Sequence, residues 1–340
     1  MPNDILTRAV DALASGHDLS QEETAEVLRE IMAGNASEAQ IAGFLIALRT
    51  KGETVDELAG LAATMRALAT PVPCERHDLV DTAGTGGGRS TFNVSTTAAL
   101  VAAGAGCALA KHGNRSATGL SGSADVLEAM GARIDLAPPA VARCIDEAGF
   151  GFMFAPAHHQ ATRFVIPVRR ELASRTIFNL LGPLTNPAGA SRQLIGVSDG
   201  AFLDTMAGAL AELGVERALL VSSQDGLDEI SSSAPTRIVE VNEGELRSYV
   251  LDPSQVGVSP DGGERHPGGT PQENAALTRE ILDGKRLSRP AGEALAAINA
   301  GAAIYAAGVA ESIAEGVEAA RAAIADGSAE AALEGYLQAS

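Results

Sequence analysis

The stretch from Asp81 to Thr96, Asp-Thr-Ala-Gly-Thr-Gly-Gly-Gly-Arg-Ser-Thr-Phe-Asn-Val-Ser-Thr, constrains this chain more than any other. Three consecutive glycines, Gly86, Gly87 and Gly88, remove side chains from a loop, so its backbone N–H groups can close around an anion. Thr91, Asn93, Ser95 and Thr96 follow, and then an alanine-rich run of helix-forming composition. A helix start presents unpaired N–H donors and the positive end of its dipole, which suits phosphate. Ahead of the loop, Asp78-Leu79-Val80 reads as the end of a strand. Strand, glycine loop and helix in that order make a phosphate cradle. It is of neither common nucleotide type. A Walker A loop needs a lysine that is missing here, and counting Gly-x-Gly-x-x-Gly from Gly84 and Gly86 puts Arg89 where the third glycine belongs.

A second block, Lys111-His112-Gly113-Asn114-Arg115-Ser116-Ala117-Thr118-Gly119-Leu120-Ser121-Gly122-Ser123-Ala124-Asp125, brings positive charge beside small hydroxyl residues. Cys107 to Ala110 reads as a buried parallel strand that ends at Lys111. Ligands of open α/β sheets gather at the carboxyl ends of strands, so both blocks can converge on one crevice. The bland alternative is a solvated basic turn. Farther on, Gln224-Asp225-Gly226-Leu227-Asp228-Glu229 follows the apolar run Ala218 to Val221. Adjacent carboxylates at a strand end suit Mg²⁺, which prefers oxygen ligands and retains waters and substrate phosphates. Acidic loop residues alone are more often merely solvated.

Together these blocks resemble the anthranilate phosphoribosyltransferase family. Its marks stand at Gly84-Thr85-Gly86-Gly87, Asn93-Val94-Ser95-Thr96, Lys111 to Arg115, Ser121 to Glu128 and Asp228-Glu229. Further matching stretches are Phe154 to His159, Val168 to Leu172, and Arg175 to Pro187. The resemblance is dense from about residue 40 to 235. Two departures stand out. The family usually writes aspartate after Gly-Thr-Gly-Gly, with one more residue before Thr-Phe-Asn, whereas this chain has Gly88 and a shorter loop. The usual lysine before Ser-Gly-Ser is Leu120.

The resemblance implies transfer of the phosphoribosyl group of phosphoribosyl pyrophosphate (PRPP) to the amino group of anthranilate, in tryptophan biosynthesis. It implies that Gly84 to Gly87, Thr91 and Asn93 to Thr96 hold the donor, with Lys111 to Gly119 and Ser123 completing its pocket. Ser95, Asp228 and Glu229 would hold Mg²⁺, while Asn114 and Arg169 would orient anthranilate. Guanidinium geometry allows Arg169 two parallel bonds to a carboxylate, the lesser alternative being a domain-interface salt bridge. No residue is assigned certain proton-transfer chemistry. His112 fits positioning better than base catalysis, because an arylamine proton becomes acidic only as the C–N bond forms. His158 and His159 line the acceptor's path or simply pack.

A pyrimidine nucleoside phosphorylase would share the fold, but the Asn114 and Arg169 neighbourhoods favour the anthranilate enzymes. A non-catalytic nucleic-acid binder is a poor fit to a formal net charge of −18. Cys74, Cys107 and Cys144 lack metal or redox spacing and read as reduced thiols of a cytoplasmic protein. The N-terminus has no signal-peptide pattern, and the uncharged run Phe92 to Ala110 is too rich in Ala, Gly, Ser and Thr for a membrane span.

Residues 4 to 70 read as helical, with Ser20 capping Gln21-Glu22-Glu23, a break at Gly52-Glu53-Thr54, and Pro71-Val72-Pro73 marking a boundary. Beyond them, apolar runs alternate with alanine-rich helices, the pattern of an α/β unit. Pro253 to Pro271 reads as a long exposed loop or an irregular connection. The expectation is an α/β protein: a small all-helical domain, residues 1–70, plus a large domain, 71–165 and 187–340, with a mainly parallel sheet. From the resemblance come a returning helical segment near 166–186, a nucleoside phosphorylase-like architecture and a homodimer.

Overall fold

Four helices begin the computed structural model, which describes residues 2–116, 119–258, 267–284 and 290–340. They are α1 (Asp4–Ala14), α2 (Gln21–Met32), α3 (Glu38–Lys51) and α4 (Val55–Leu68). The capping box read at Ser20 and Glu23 is present, and Ser37 with Gln40 and Thr54 with Glu57 repeat it at the next two helix starts. Gly52 ends α3 at a φ of 96°, a conformation that favours glycine.

The chain then alternates. β1 (Leu79–Asp81), α5 (Val94–Gly104), β2 (Ala108–Gly113), α6 (Ser123–Ala129), α7 (Pro138–Ala148) and β3 (Phe150–Phe154) come first. Three short helices follow, α8 (Ala155–His158), α9 (Ile166–Leu172) and α10 (Phe178–Leu181). The sheet resumes with β4 (Arg192–Gly196), α11 (Leu203–Glu212), β5 (Arg217–Ser223), β6 (Thr236–Asn242) and β7 (Glu245–Leu251). The C-terminal helices are α12 (Pro271–Asp283), α13 (Pro290–Ala306), α14 (Ile313–Ala325) and α15 (Ser328–Ala339).

The strands form one sheet in the order β3-β2-β1-β4-β5-β6-β7. The first five pair in parallel; β6 and β7 add an antiparallel edge. Both faces are covered, so successive residues of β5 enter different cores. Leu219 and Val221 pack with α5 and α13, while Ala218 and Leu220 pack with α11 and the N-terminal helices. Val165, Val168, Ile177 and Leu181, from the α9–α10 region, join that second core.

Helices on the first face approach closely. A Cβ added to Gly316 of α14 would lie 2.2 Å from the Gly301 carbonyl oxygen of α13, and one on Gly104 of α5 would lie 2.6 Å from the Ala329 backbone of α15. Among the described residues no helix is long and apolar enough to cross a membrane.

Two local expectations are corrected. β2 does not end at Lys111 but continues through His112 to Gly113, paired with β3 along that length. Nor is the start of the Pro253–Pro271 stretch exposed throughout: Ser254, Gln255 and Gly257 are, but their neighbours are not. Residues 253–256 form a 3-10 turn, and Pro253, Val256 and Val258 are buried.

Candidate active site

The glycine loop leaves the carboxyl end of β1 and leads to α5, at the centre of the parallel strands. Gly84 bridges to Gly196 at the end of β4, and the Thr85 N–H donates to the Gly196 carbonyl at 2.8 Å. Gly86 and Gly87 take φ values of 63° and 87°. Gly88 is glycine for lack of space: an added Cβ would sit 2.4 Å from the Asp228 Oδ1. The family's aspartate therefore has no room in this loop conformation. Arg89, just beyond, pairs with Asp225 at 3.1 Å.

The start of α5 carries no side-chain cap. Asn93, in the capping position, turns its side chain to Ser121 and Asn274 instead. The Thr91 and Thr96 hydroxyls are buried without partners among the described residues. An uncapped helix start with two orphaned hydroxyls is an anion cradle with unfilled hydrogen-bonding capacity.

Lys111 forms the floor beneath it. The side chain is buried, and its ammonium donates to the Thr82 carbonyl at 2.5 Å, the Thr82 hydroxyl at 3.1 Å and Ser95 Oγ at 3.3 Å. Burial lowers its pKa to about 8, against the opposing pull of Asp81 and Glu229. Asp81, wholly buried, accepts from the His112 N–H and from Asn186, and desolvation raises its pKa to about 6. Asn186 also donates to the Ala110 carbonyl, tying β1 to β2. Thr82, Asp81 and Asn186 were not singled out as site residues in the sequence. Their signal was position, at the strand end and in the Thr185-Asn186-Pro187 motif.

Asp228 and Glu229 face this floor. Desolvation, together with the neighbouring Asp228, raises Glu229 to about 8, and desolvation raises Asp228 as well. The Ser95 N–H donates to Glu229, which brings the expected metal trio Ser95, Asp228 and Glu229 together. Two desolvated carboxylates that repel each other suit a hard divalent cation. Among the described residues no cluster of three or more His, Cys, Asp or Glu could hold a metal.

The second block is placed differently from the simple cationic reading. Arg115 pairs with Asp125 at 2.9 Å and Glu128 at 2.5 Å and lies over Phe154, so its charge is already matched. Asp125 also accepts from the Ser116 and Gly122 N–H groups, while the Ser116 hydroxyl accepts from Gly119. Asn114 is exposed and accepts from the Arg115 N–H. Gly113 would bring a Cβ to 3.0 Å from Ser123, at the start of α6. Ala117 and Thr118 lie outside the described residues.

The surroundings of Arg169, expected to face the acceptor, have a different character. Arg169 lies over Phe178 at 5.5 Å, is partly buried, and makes no ion pair among the described residues. Burial depresses its pKa. The His112 and His159 rings lie 5.1 Å apart, tilted by 56°, with both Nε2 atoms buried and without a partner among the described residues. Burial lowers them to about 3 and about 4, so both are neutral. His158 donates from Nδ1 to the Thr70 carbonyl at 2.9 Å and so holds the linker after α4.

Comparison with known proteins agrees with this architecture. Residues 76–330 match a family model described as "Glycosyl transferase family, a/b domain", and residues 7–69 match the corresponding "helical bundle domain". An anthranilate phosphoribosyltransferase of Rubrobacter xylanophilus is 50% identical over 99% of this chain and 98% of its own. The crystal structure of the Thermus thermophilus enzyme is 46% identical, with a TM-score of 0.91 over 97% of this chain and 98% of its own. The Saccharomyces cerevisiae enzyme in complex with PRPP and Mg is 25% identical, with a TM-score of 0.88 over 98% and 97% of the two chains. With near-complete coverage at this identity, and with the glycine loop, uncapped helix and carboxylate pair around one crevice, the chain belongs to the anthranilate phosphoribosyltransferase family.

Proposed function

We propose that this chain transfers the phosphoribosyl group of PRPP to the amino nitrogen of anthranilate, giving N-(5-phosphoribosyl)anthranilate and pyrophosphate in tryptophan biosynthesis. The observation that carries the reading is the Asp228–Glu229 pair facing the uncapped start of α5 beneath a glycine loop. Ser95, Asp228 and Glu229 would hold Mg²⁺, which would supply positive charge against that developing on the departing pyrophosphate.

The remaining steps belong to the protein. Gly84 and Gly87 offer backbone N–H groups to the donor, the Thr85 and Gly86 N–H groups being spent on Gly196 and Asp228 to hold the loop, and Thr91 and Thr96 offer hydroxyls with no other partner among the described residues. Lys111 acts from below, holding Thr82 and Ser95 in place. Arg169 and Asn114 orient anthranilate, Arg169 through its carboxylate. The neutral His112 and His159 bound the acceptor side without adding charge. Fixing two substrates in line supplies rate without a dedicated base.

The same reading extends to two units, residues 1–70 with 166–186 and residues 71–165 with 187–340, to pairing of the helical units in a homodimer, and to the cytoplasm. Light scattering on the eluting protein tests the dimer. For the reaction, the test is loss of anthranilate fluorescence on adding PRPP, with Mg²⁺ raised from zero. The chain has no tryptophan, so its own emission interferes little. Metal-dependent loss is expected; no loss with folded protein would reject the reading.

A further inference from the structure

The donor loop is gripped from a direction that the expected site residues do not include. Gly86 is held at both its polar groups. Its N–H donates to Asp228, and its carbonyl accepts from Arg175 Nη2 at 2.8 Å. Arg175 lies between α9 and α10, in the region that packs with the N-terminal helices. Its other terminal nitrogen lies flat against Gly87, where a Cβ would come within 2.1 Å of it. The Arg175 carbonyl in turn accepts from Arg49 of α3 at 2.6 Å, and the same nitrogen donates to Ser174. Arg49, Arg175, Thr85 and Gly87 share the wall of a cavity of about 320 Å³.

Among the described residues neither Arg175 nor Arg49 is ion-paired to a carboxylate, whereas Arg115 is matched twice and Lys111 is buried under Thr82. The glycine loop therefore rests between Asp228 and a guanidinium whose backbone is fastened to α3. We propose that Arg175 is a positioning residue for the donor: backed by Arg49, it fixes the Gly86–Gly87 backbone so that the loop's N–H groups meet the pyrophosphate of PRPP. Three glycines leave the loop many alternative conformations, and a fixed guanidinium selects among them. The proposal rests on the donor assignment made above.

The test is a KM comparison on wild type, Arg175→Gln, Arg175→Lys and Arg49→Gln, with calorimetric binding of PRPP in the presence of Mg²⁺. Losing one charge-assisted bond to the loop predicts that Arg175→Gln raises the PRPP KM about tenfold. The anthranilate KM should stay within about twofold and the unfolding midpoint should be unchanged. Arg175→Lys should recover part of the loss, because lysine keeps the charge without the fork. Arg49→Gln should shift the PRPP KM in the same direction by less. An unchanged PRPP KM in Arg175→Gln, or equal movement of both KM values with the midpoint, would overturn the role. Should that variant fail to fold, Arg49→Gln carries the test, and an unchanged PRPP KM there refutes the coupling. An inactive wild type that still binds PRPP would count against the reaction, while the calorimetric comparison would still decide the role of Arg175.

Discussion

The two sides of the cleft solve opposite problems. Under the donor loop the charged groups of the floor are engaged inside the protein, Lys111 with Thr82 and Ser95, Asp81 with Asn186 and the His112 backbone, and Asp228 with Gly86, while the open hydrogen-bonding capacity is left to the start of α5 and the Thr91 and Thr96 hydroxyls. On the proposed acceptor wall, among the described residues, Arg169 has no carboxylate and two ring nitrogens have no partner. A site for a highly charged donor gains from groups that are fixed in place before the ligand arrives. One for a small aromatic acid keeps a guanidinium unmatched, so that the ligand's carboxylate completes the pair. Preorganisation on one side and deliberate vacancy of charge on the other are both stored in the fold.

Substitutions can break this contrast, and the largest effect should come from the floor. Lys111→Met leaves Asp81 and Glu229 without their buried cation and should cost roughly 3–5 kcal/mol in denaturant unfolding. A loss under about 1 kcal/mol would mean that the floor is not charge-balanced by Lys111. On the wall, Arg169→Ala should barely alter stability but weaken anthranilate by about 2–5 kcal/mol, with PRPP little changed. Equal weakening of both substrates would erase the distinction.

Acid sensitivity should come next. His112 and His159, lowered by burial to about 3 and about 4, are protonated first in the unfolded chain. Their contribution is therefore complete above pH ~6.5 and is lost as pH falls toward their folded values, about 2 kcal/mol each by pH ~5. Unfolding of His159→Asn at neutral and acidic pH should show a shallower slope than wild type; parallel slopes would place the sensitivity elsewhere. The smallest effect is expected at Gly88→Asp, which must move the loop off Asp228 and should raise the PRPP KM about fivefold, or ~1 kcal/mol. A lowered KM would mean that the loop readily adopts the longer family's arrangement.

What the sequence revealed follows the range of the forces involved. Ser20 with Glu23 was legible because a capping box is complete within four residues. The glycine loop was legible because backbone geometry restricts composition. The end of β2 was not: buried on both faces, it shows no alternation, and a lysine and a histidine inside it look like a loop. The antiparallel pair β6–β7 went unread for want of a strong turn signal. Arg115's carboxylates lie ten and thirteen residues away, across a turn, so its charge looked available for ligand. Arg175 was visible only as part of a motif; its partner Gly86 lies 89 residues earlier, a pairing no local pattern encodes.

The close meeting of Gly301 with Gly316, and of Gly104 with Ala329, changes what this protein can tolerate. With eight phenylalanines, three tyrosines and no tryptophan, the chain fills much of its interior by bringing backbones together rather than by inserting rings. Such an interior leaves little slack for growth. At these crossings a single added methyl meets main chain, which cannot rotate aside, and wedges two helices apart. Attempts to raise its heat resistance by enlarging buried residues would therefore fail first at α13 and α14, where alanine itself is already too large.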